Sequence, residues 1–168
     1  MAVNEHKRMA PTSIRCKVVT VSDTRNKETD KSGKIILDLL EKNGYRTVAY
    51  EIVKDERDGI REAVVSGCSN KEVDVVLING GTGIAKRDVT CEVVTDLFEK
   101  EMPGFGELFR YLSYSEDIGT AAMLSRAAAG TLFDTAVFSI PGSSGAVKLA
   151  MEKLIIPELG HVVAELHK

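Results

Sequence analysis

The sequence predicts an α/β domain whose central sheet is mostly parallel, with helices on both faces. Three observations predict it. Short β-branched apolar runs alternate along the chain with segments of helical periodicity. The run VDVVLI (73–78) is apolar at successive positions, as a strand covered by helices on both sides requires. The chain has 168 residues, 43% of them hydrophobic and 28% charged, which suits one domain with a sizeable core.

The elements follow in order. CKVVTV (16–21) is a β-branched strand, and DKSGKIILDLLEKNG (30–44) a helix with Ile35, Ile36, Leu39 and Leu40 inward and Gly44 at its stop. TVAYEIV (47–53) is the next strand, and DERDGIREAVVSG (55–67) the next helix, facing the core through Ile60, Ala63 and Val64. After VDVVLI and a glycine loop, Thr90 is expected to cap a helix running through Val93, Val94, Leu97 and Phe98. Pro103-Gly104 should break that helix before FGELFRYLSY (105–114) begins another. Phe105, Phe109, Tyr111 and Tyr114 within it read as core or as a subunit contact. Residues 124–132 remain open between helix and edge strand, whereas AVFSI (136–140) is a strand. PGSSG (141–145) is a loop and AVKLAMEKLI (146–155) a helix, which Pro157 should interrupt before ELGHVVAELHK closes the chain. No repeat or linker divides residues 14–168, which read as a single domain. MAVNEHKRMAPTS (1–13) has no apolar signal region and reads as a loose, flexible tail.

Composition excludes several function classes. The net charge is −3 with a pI near 5.7, and Lys and Arg are scattered, so a nucleic-acid partner has no electrostatic footprint. Cys16, Cys68 and Cys91 stand far apart without a CxxC, and His6, His161 and His167 lie near the ends. That is the pattern of a reduced protein with neither a disulfide framework nor a zinc site. No apolar run approaches the ~20 residues that span a bilayer. A cytoplasmic protein with no membrane partner is expected.

In a parallel sheet, ligands bind at the carboxyl ends of the strands. The loops there are SDTRNKETDKSG (22–33), KDERDG (54–59), NGGTGIAKRDVT (79–90) and PGSSGA (141–146), and all can meet at one rim. Gly80, Gly81, Thr82 and Gly83 suit a phosphate or another oxyanion, because backbone N–H groups approach closely where no side chain intervenes. A tight turn without a ligand would use the same residues. Two familiar phosphate motifs are excluded. Nothing matches GxxxxGK[ST], and the GxG of Gly81 and Gly83 meets Lys86 where a dinucleotide fingerprint needs its third glycine. Asp23, Asp55 and Asp88, the last beside Arg87, are strand-end acids that could cap helices or hold Mg²⁺ near a phosphoryl group. Ser143 and Ser144 could donate to a phosphate or merely start a helix. SRAAAG (125–130) reads as small-residue packing.

Taken together, VSDT…DKSG, NGGTGIAKRDVT, PGFGELFR, LSRAAAG and IPGSSGAV resemble, in order, the molybdopterin adenylyltransferase family, most closely its protein B branch, over about residues 14–165. The resemblance implies a three-layer α/β/α sandwich whose mostly parallel sheet includes one antiparallel strand, which would fall at 124–132. It implies transfer of AMP from Mg-ATP to the terminal phosphate of molybdopterin, with release of pyrophosphate and handover of the product to a molybdate-insertion enzyme. Asp88 and Asp55 match the two catalytic acids and would hold the Mg²⁺. Gly80, Gly81, Thr82, Gly83, Ser22, Asp23 and Arg87 match the pterin-phosphate side, and Pro141, Gly142, Ser143 and Ser144 the nucleotide side. A homo-oligomer, trimer or hexamer, is implied as well. Two alternatives remain at this level: a non-catalytic molybdopterin-binding or carrier protein using the same loops, and a flavodoxin-like redox domain. The second is disfavoured by an aromatic content of 5% with no Trp.

Overall fold

Four strands run parallel: helical crossovers return the chain to the sheet for the second and third, and the last re-enters through a tight hairpin from an antiparallel neighbour. In the computed structural model, which describes residues 13–168, these are β1 (Arg15–Val21), β2 (Arg46–Val53), β3 (Val75–Asn79) and β6 (Thr135–Ile140). β5 (Ala128–Leu132) is antiparallel to both β6 and the two-residue β4 (Lys100–Glu101), giving the six-stranded order β2-β1-β3-β6-β5-β4. The single antiparallel strand is therefore β5. Residues 1–12 of the expected tail lie outside the described residues.

The period of two along β3 divides the core. Val75 and Leu77 join one cluster with Ile36, Phe109, Val147 and Leu159, drawn from α1 (Lys31–Lys42), α4 (Pro103–Glu116), α5 (Ser144–Ala150) and α6 (Ile156–Leu166). Val76 and Ile78 join the other with Ile60, Val64 and Val94, from α2 (Arg57–Ser69) and α3 (Thr90–Leu97). That is the three-layer sandwich. All of β3 is buried, as its unbroken apolar run requires.

Several local expectations need correction. Thr90 is the first residue of α3 and does not cap it: the N-cap is Val89, which makes no side-chain bond. Pro103 does not break a helix. It occupies the start of α4, where a missing N–H costs nothing, and β4 separates it from α3. Residues 119–124 form a 3₁₀ turn, and the strand begins only at Ala128. Pro157 does not interrupt its helix. A π turn over Met151–Ile155 precedes α6, and Ile156 donates to Met151 O, so the wider turn accommodates the proline. The aromatic group divides between two faces. Phe105 and Phe109 pack with Phe138, while Tyr111 and Tyr114 point to solvent.

Beneath the carboxyl ends of β1 and β3 lies a buried polar knot. Thr20 pairs in register with Asn79, and Asn79 Nδ2 donates to Thr20 Oγ1 at 3.0 Å. Thr20 in turn donates to Asp30 at 2.6 Å, and Tyr50 donates to the same oxygen. The other Asp30 oxygen caps α1 by accepting from Gly33 N at 3.0 Å. Burial alone would push the Asp30 carboxyl up, but bonds from Thr20, Tyr50, Gly33 and Ser32 hold it below its ordinary value. A depressed carboxyl contributes stability that is present above its unfolded pKa and lost as pH falls through the folded one. Asp30→Ala should therefore cost about 2–4 kcal/mol at neutral pH, because the buried donors lose their acceptor. Urea unfolding should show the gap between variant and wild type narrowing as pH falls below about 4, where the unfolded-state carboxyl takes up its proton, and narrowing further until the lower folded pKa is passed.

Candidate active site

The chain leaves β1 toward β2 on one side and leaves β3 toward β6 on the other, so the loops part above the β1–β3 pair. The four predicted loops do meet there. Ser22 N–H donates to Val53 O at 2.8 Å, Gly80 N–H to Ile140 O at 3.1 Å, and Arg25 Nη2 to Gly142 O at 3.3 Å. Between them opens a polar cleft of about 290 Å³, lined by Ser22, Arg25, Asp55, Gly80, Gly81, Thr82, Gly83, Arg87, Asp88 and Gly142.

Three glycines are needed in the loop for two reasons. Gly80 and Gly81 have φ of +99° and +66°, a region that L side chains rarely adopt. A Cβ on Gly80 would lie 2.3 Å from Val21 O, and one on Gly81 2.7 Å from Asp55 Oδ1 and 2.2 Å from Thr90 Oγ1. Gly83 lies outside the positive-φ region, and its requirement is room. A Cβ there would come within 2.6 Å of Asp88 Oδ2. The missing side chains thus make space for the acids as well as for a ligand.

Asp55 is the most constrained of the acids. Its side chain is 6% exposed, and its Oδ1 finds no hydrogen-bond partner among the described residues. Burial raises its carboxyl pKa, Asp23 and Asp88 raise it further, and Arg87 offsets this only in part. The Arg87 guanidinium is 68% exposed and stands 3.9 Å from Asp23 and 4.0 Å from Asp55. Asp23 accepts from Asp55 N–H at 3.0 Å, so it shapes the rim. Neither Asp55 nor Asp88 caps a helix: the residues at the N-caps of α2 and α3 are Glu56 and Val89. A buried carboxylate oxygen without a donor, beside a second acid, is a donor set that a hard divalent cation fits. Among the described residues no group of three or more His, Cys, Asp or Glu could hold a metal alone. Mg²⁺ does not need one, since it is commonly held by one or two carboxylates together with substrate phosphates.

The remaining predicted residues divide. Ser22 Oγ accepts from Thr24 N and Arg25 N at 3.2 and 3.1 Å, which folds the loop after β1. Pro141 and Ser143 line an adjoining, mainly apolar cavity of about 220 Å³ with Phe109, Ile118 and Leu124. Ser143 also caps α5 by accepting from Ala146 N at 3.3 Å. Ser144 is exposed and lines neither space. Two arginines went unread. Arg25 is held in the cleft by Ser32 Oγ at 2.6 Å, and its signal was a cation within a strand-end loop. Arg126, inside the SRAAAG run, donates to Thr82 O, Gly83 O and Asp88 O, contacts that sequence spacing does not reveal. All three cysteines are free and buried, and no helix among the described residues is long and apolar enough to cross a membrane.

Comparison with known proteins agrees with this architecture. Residues 17–161 match the family described as a probable molybdopterin binding domain. Molybdenum cofactor biosynthesis protein B of Bacillus subtilis (strain 168) is 64% identical over 168 residues, covering 100% of this chain and 99% of the relative. A crystal structure of molybdenum cofactor biosynthesis protein B superimposes with a TM-score of 0.92 at 60% identity, covering 95% of this chain and 99% of that one. The tungsten cofactor synthesizing protein MoaB from Pyrococcus furiosus follows with a TM-score of 0.80 at 38% identity, covering 95% and 100%. With one family matching most of its length and a relative aligned from end to end, the chain belongs to the molybdopterin-binding-domain family of molybdenum cofactor biosynthesis.

Proposed function

We propose that this chain adenylylates molybdopterin: AMP passes from ATP to the terminal phosphate of the pterin, and pyrophosphate leaves. The observation that carries the reading is the buried Asp55 carboxylate, whose Oδ1 has no hydrogen-bond partner among the described residues, set against a side-chain-free loop with Asp88 on the same cleft. An oxygen of the pterin phosphate attacks the α-phosphorus of ATP as the bond to the pyrophosphate oxygen breaks. A phosphate monoester is largely dianionic at neutral pH, so the nucleophile needs no base to deprotonate it. The barrier is then mainly one of orientation and of charge repulsion between two anions.

Each group on the cleft has a part in that task. The N–H groups of Gly81, Thr82 and Gly83 bind the pterin phosphate, while that of Gly80 is bonded to Ile140 O and holds the loop to β6, and Arg25 and Arg87 add positive charge at the phosphate's sides. Pro141, Gly142 and Ser143 form the nucleotide side. Asp55 and Asp88 would hold Mg²⁺, which when bound neutralises charge between the two substrates. The adenylylated pterin would then serve a separate molybdate-insertion enzyme.

The experiment that tests this mixes purified protein with molybdopterin, Mg²⁺ and ATP, and looks for adenylylated pterin by mass. Formation of the product is expected, and its absence with intact pterin binding would favour a binding or carrier role. Asp88→Asn should lower kcat and kcat/KM together by about 10²-fold, equivalent to ~2.7 kcal/mol of barrier. Binding of molybdopterin measured without Mg²⁺ should be unchanged or slightly tighter, because a repelling carboxylate is gone. Wild-type turnover in this variant would remove Asp88 from the reaction.

Gly83→Val should leave the fold intact but displace Asp88, weakening pterin binding and turnover together. Equal pterin affinity in the folded variant would reduce the loop to a turn.

Assembly into a trimer or hexamer belongs to the same proposal. Leu108, Tyr111, Tyr114, Ile118, Met123 and Leu124 expose a large apolar area on α4 and the 3₁₀ turn, with Tyr111 at 66% and Met123 at 81%. Light scattering should give an oligomer at micromolar concentration, and Tyr111→Glu should shift the mass downward. A monomeric wild type would overturn this part of the reading.

A further inference from the structure

A loop that turns its N–H groups toward an anion must send carbonyls the other way. Buried carbonyls without donors cost free energy, and flexible ones let the N–H groups drift. Among the described residues, one side chain donates to three of those carbonyls. Arg126 enters between the 3₁₀ turn and β5, far along the sequence from the glycine loop. Its Nε donates to Thr82 O at 3.2 Å, and its Nη2 donates to Gly83 O and to Asp88 O, the latter at 3.3 Å. Thr82 and Asp88 bracket the protruding segment that carries exposed Ile84 and Arg87, so one guanidinium clasps both ends of that excursion.

The charge of Arg126 is already matched. Its Nη1 pairs with Glu92 on the first turn of α3, and Nη2 lies 3.5 Å from the second Glu92 oxygen. The hydrogen bond from Arg126 holds the Glu92 carboxyl below its ordinary range, so the pair stays charged at neutral pH. A neutralised guanidinium that faces carbonyl oxygens contributes shape rather than field. Its planar fork reaches three carbonyls and a carboxylate from three separate nitrogens, a span that an ammonium, with its three donors on one nitrogen, cannot cover.

We propose that Arg126 is a positioning residue for the transfer reaction: by clasping Thr82, Gly83 and Asp88 through their carbonyls, it sets the phosphate-binding loop and the Asp88 carboxylate in one fixed arrangement. This rests on the adenylyltransferase reading above. It acts through Asp88 and the loop, not by touching substrate.

The test is Arg126→Lys in the full chain, which keeps the charge and removes the fork. With ATP, Mg²⁺ and molybdopterin, kcat should fall about 10²-fold, as misplacement by about 1 Å can cause. The KM for ATP should stay within about threefold, because ground-state contacts on the nucleotide side are untouched. Combined with Asp88→Asn, the lysine change should cost no further turnover, since both act through one arrangement. A purely structural residue would instead give multiplicative losses. Amide exchange of the peptide spanning residues 80–90 should quicken roughly tenfold, with β1 and β6 unchanged.

Wild-type kcat in the lysine variant, or multiplicative losses in the double variant, overturns the proposal. If wild-type protein forms no adenylylated pterin, the failure belongs to the functional reading. Loop exchange then decides the clasp alone, and unchanged exchange overturns it. Should the lysine variant not fold, Glu92→Gln loosens the guanidinium from outside the loop. In that variant the same faster loop exchange is expected, and wild-type exchange overturns the clasp.

Discussion

Everything at the site depends on β1 and β3 being paired in parallel while their chains depart in opposite directions. The pairing sets Thr20 opposite Asn79 in the last buried row of the sheet. Directly beyond that row, Val21 meets Gly80 so closely that no Cβ fits between them. The sheet therefore ends in a notch and not in a packed edge. The polar knot beneath it is fully buried, and its members satisfy one another: Thr20, Asp30, Ser32 and Asn79 exchange hydrogen bonds, and Ser32 extends the network to Arg25. A satisfied buried network gives a rigid floor, and a rigid floor is what a positioning site requires.

Above that floor the charges are arranged in two tiers. Arg126 and Glu92 neutralise each other behind the glycine loop, where the protein alone must be stable. In front, toward the cleft, Asp55, Asp23 and Arg87 remain poorly matched, with contacts of 3.9 to 4.0 Å that fall short of hydrogen bonds. Interactions completed within the fold serve stability. Those left incomplete leave charge open toward the cleft.

The strand and helix alternation carried the fold, because VDVVLI and its neighbours bury both faces and admit no other period. The antiparallel β5 was not legible from periodicity: Ala128–Leu132 is rich in small residues, and its pairing with β6 decides its state. Pro157 misled for a related reason. Local propensity predicts a break, but burial of Met151, Ile155 and Leu159 keeps the helix on the core through a π turn. At the site, the acids and glycines were readable as residue types at strand ends. Arg126 was not, because the carbonyls it holds lie 38 to 44 residues away and backbone carbonyls leave no trace in a sequence.

Glycine and acid in this loop are best understood as one feature. Gly81 and Gly83 are usually considered for what they admit from outside, yet the nearest atoms to their absent Cβ positions include oxygens of Asp55 and Asp88. Each carboxylate is thus packed against bare backbone, close to the N–H groups that would meet an anion. Side chains on those glycines would push the acids away from the cradle and separate the two kinds of group. Under the proposed reading, a phosphate held by N–H groups and a cation held by carboxylates would share one small volume. Opposite charges can be gathered there without a protein side chain standing between them. For the proposed reaction that would be the local condition for drawing two mutually repelling phosphate groups together, and it would come from atoms the loop lacks as much as from those it presents.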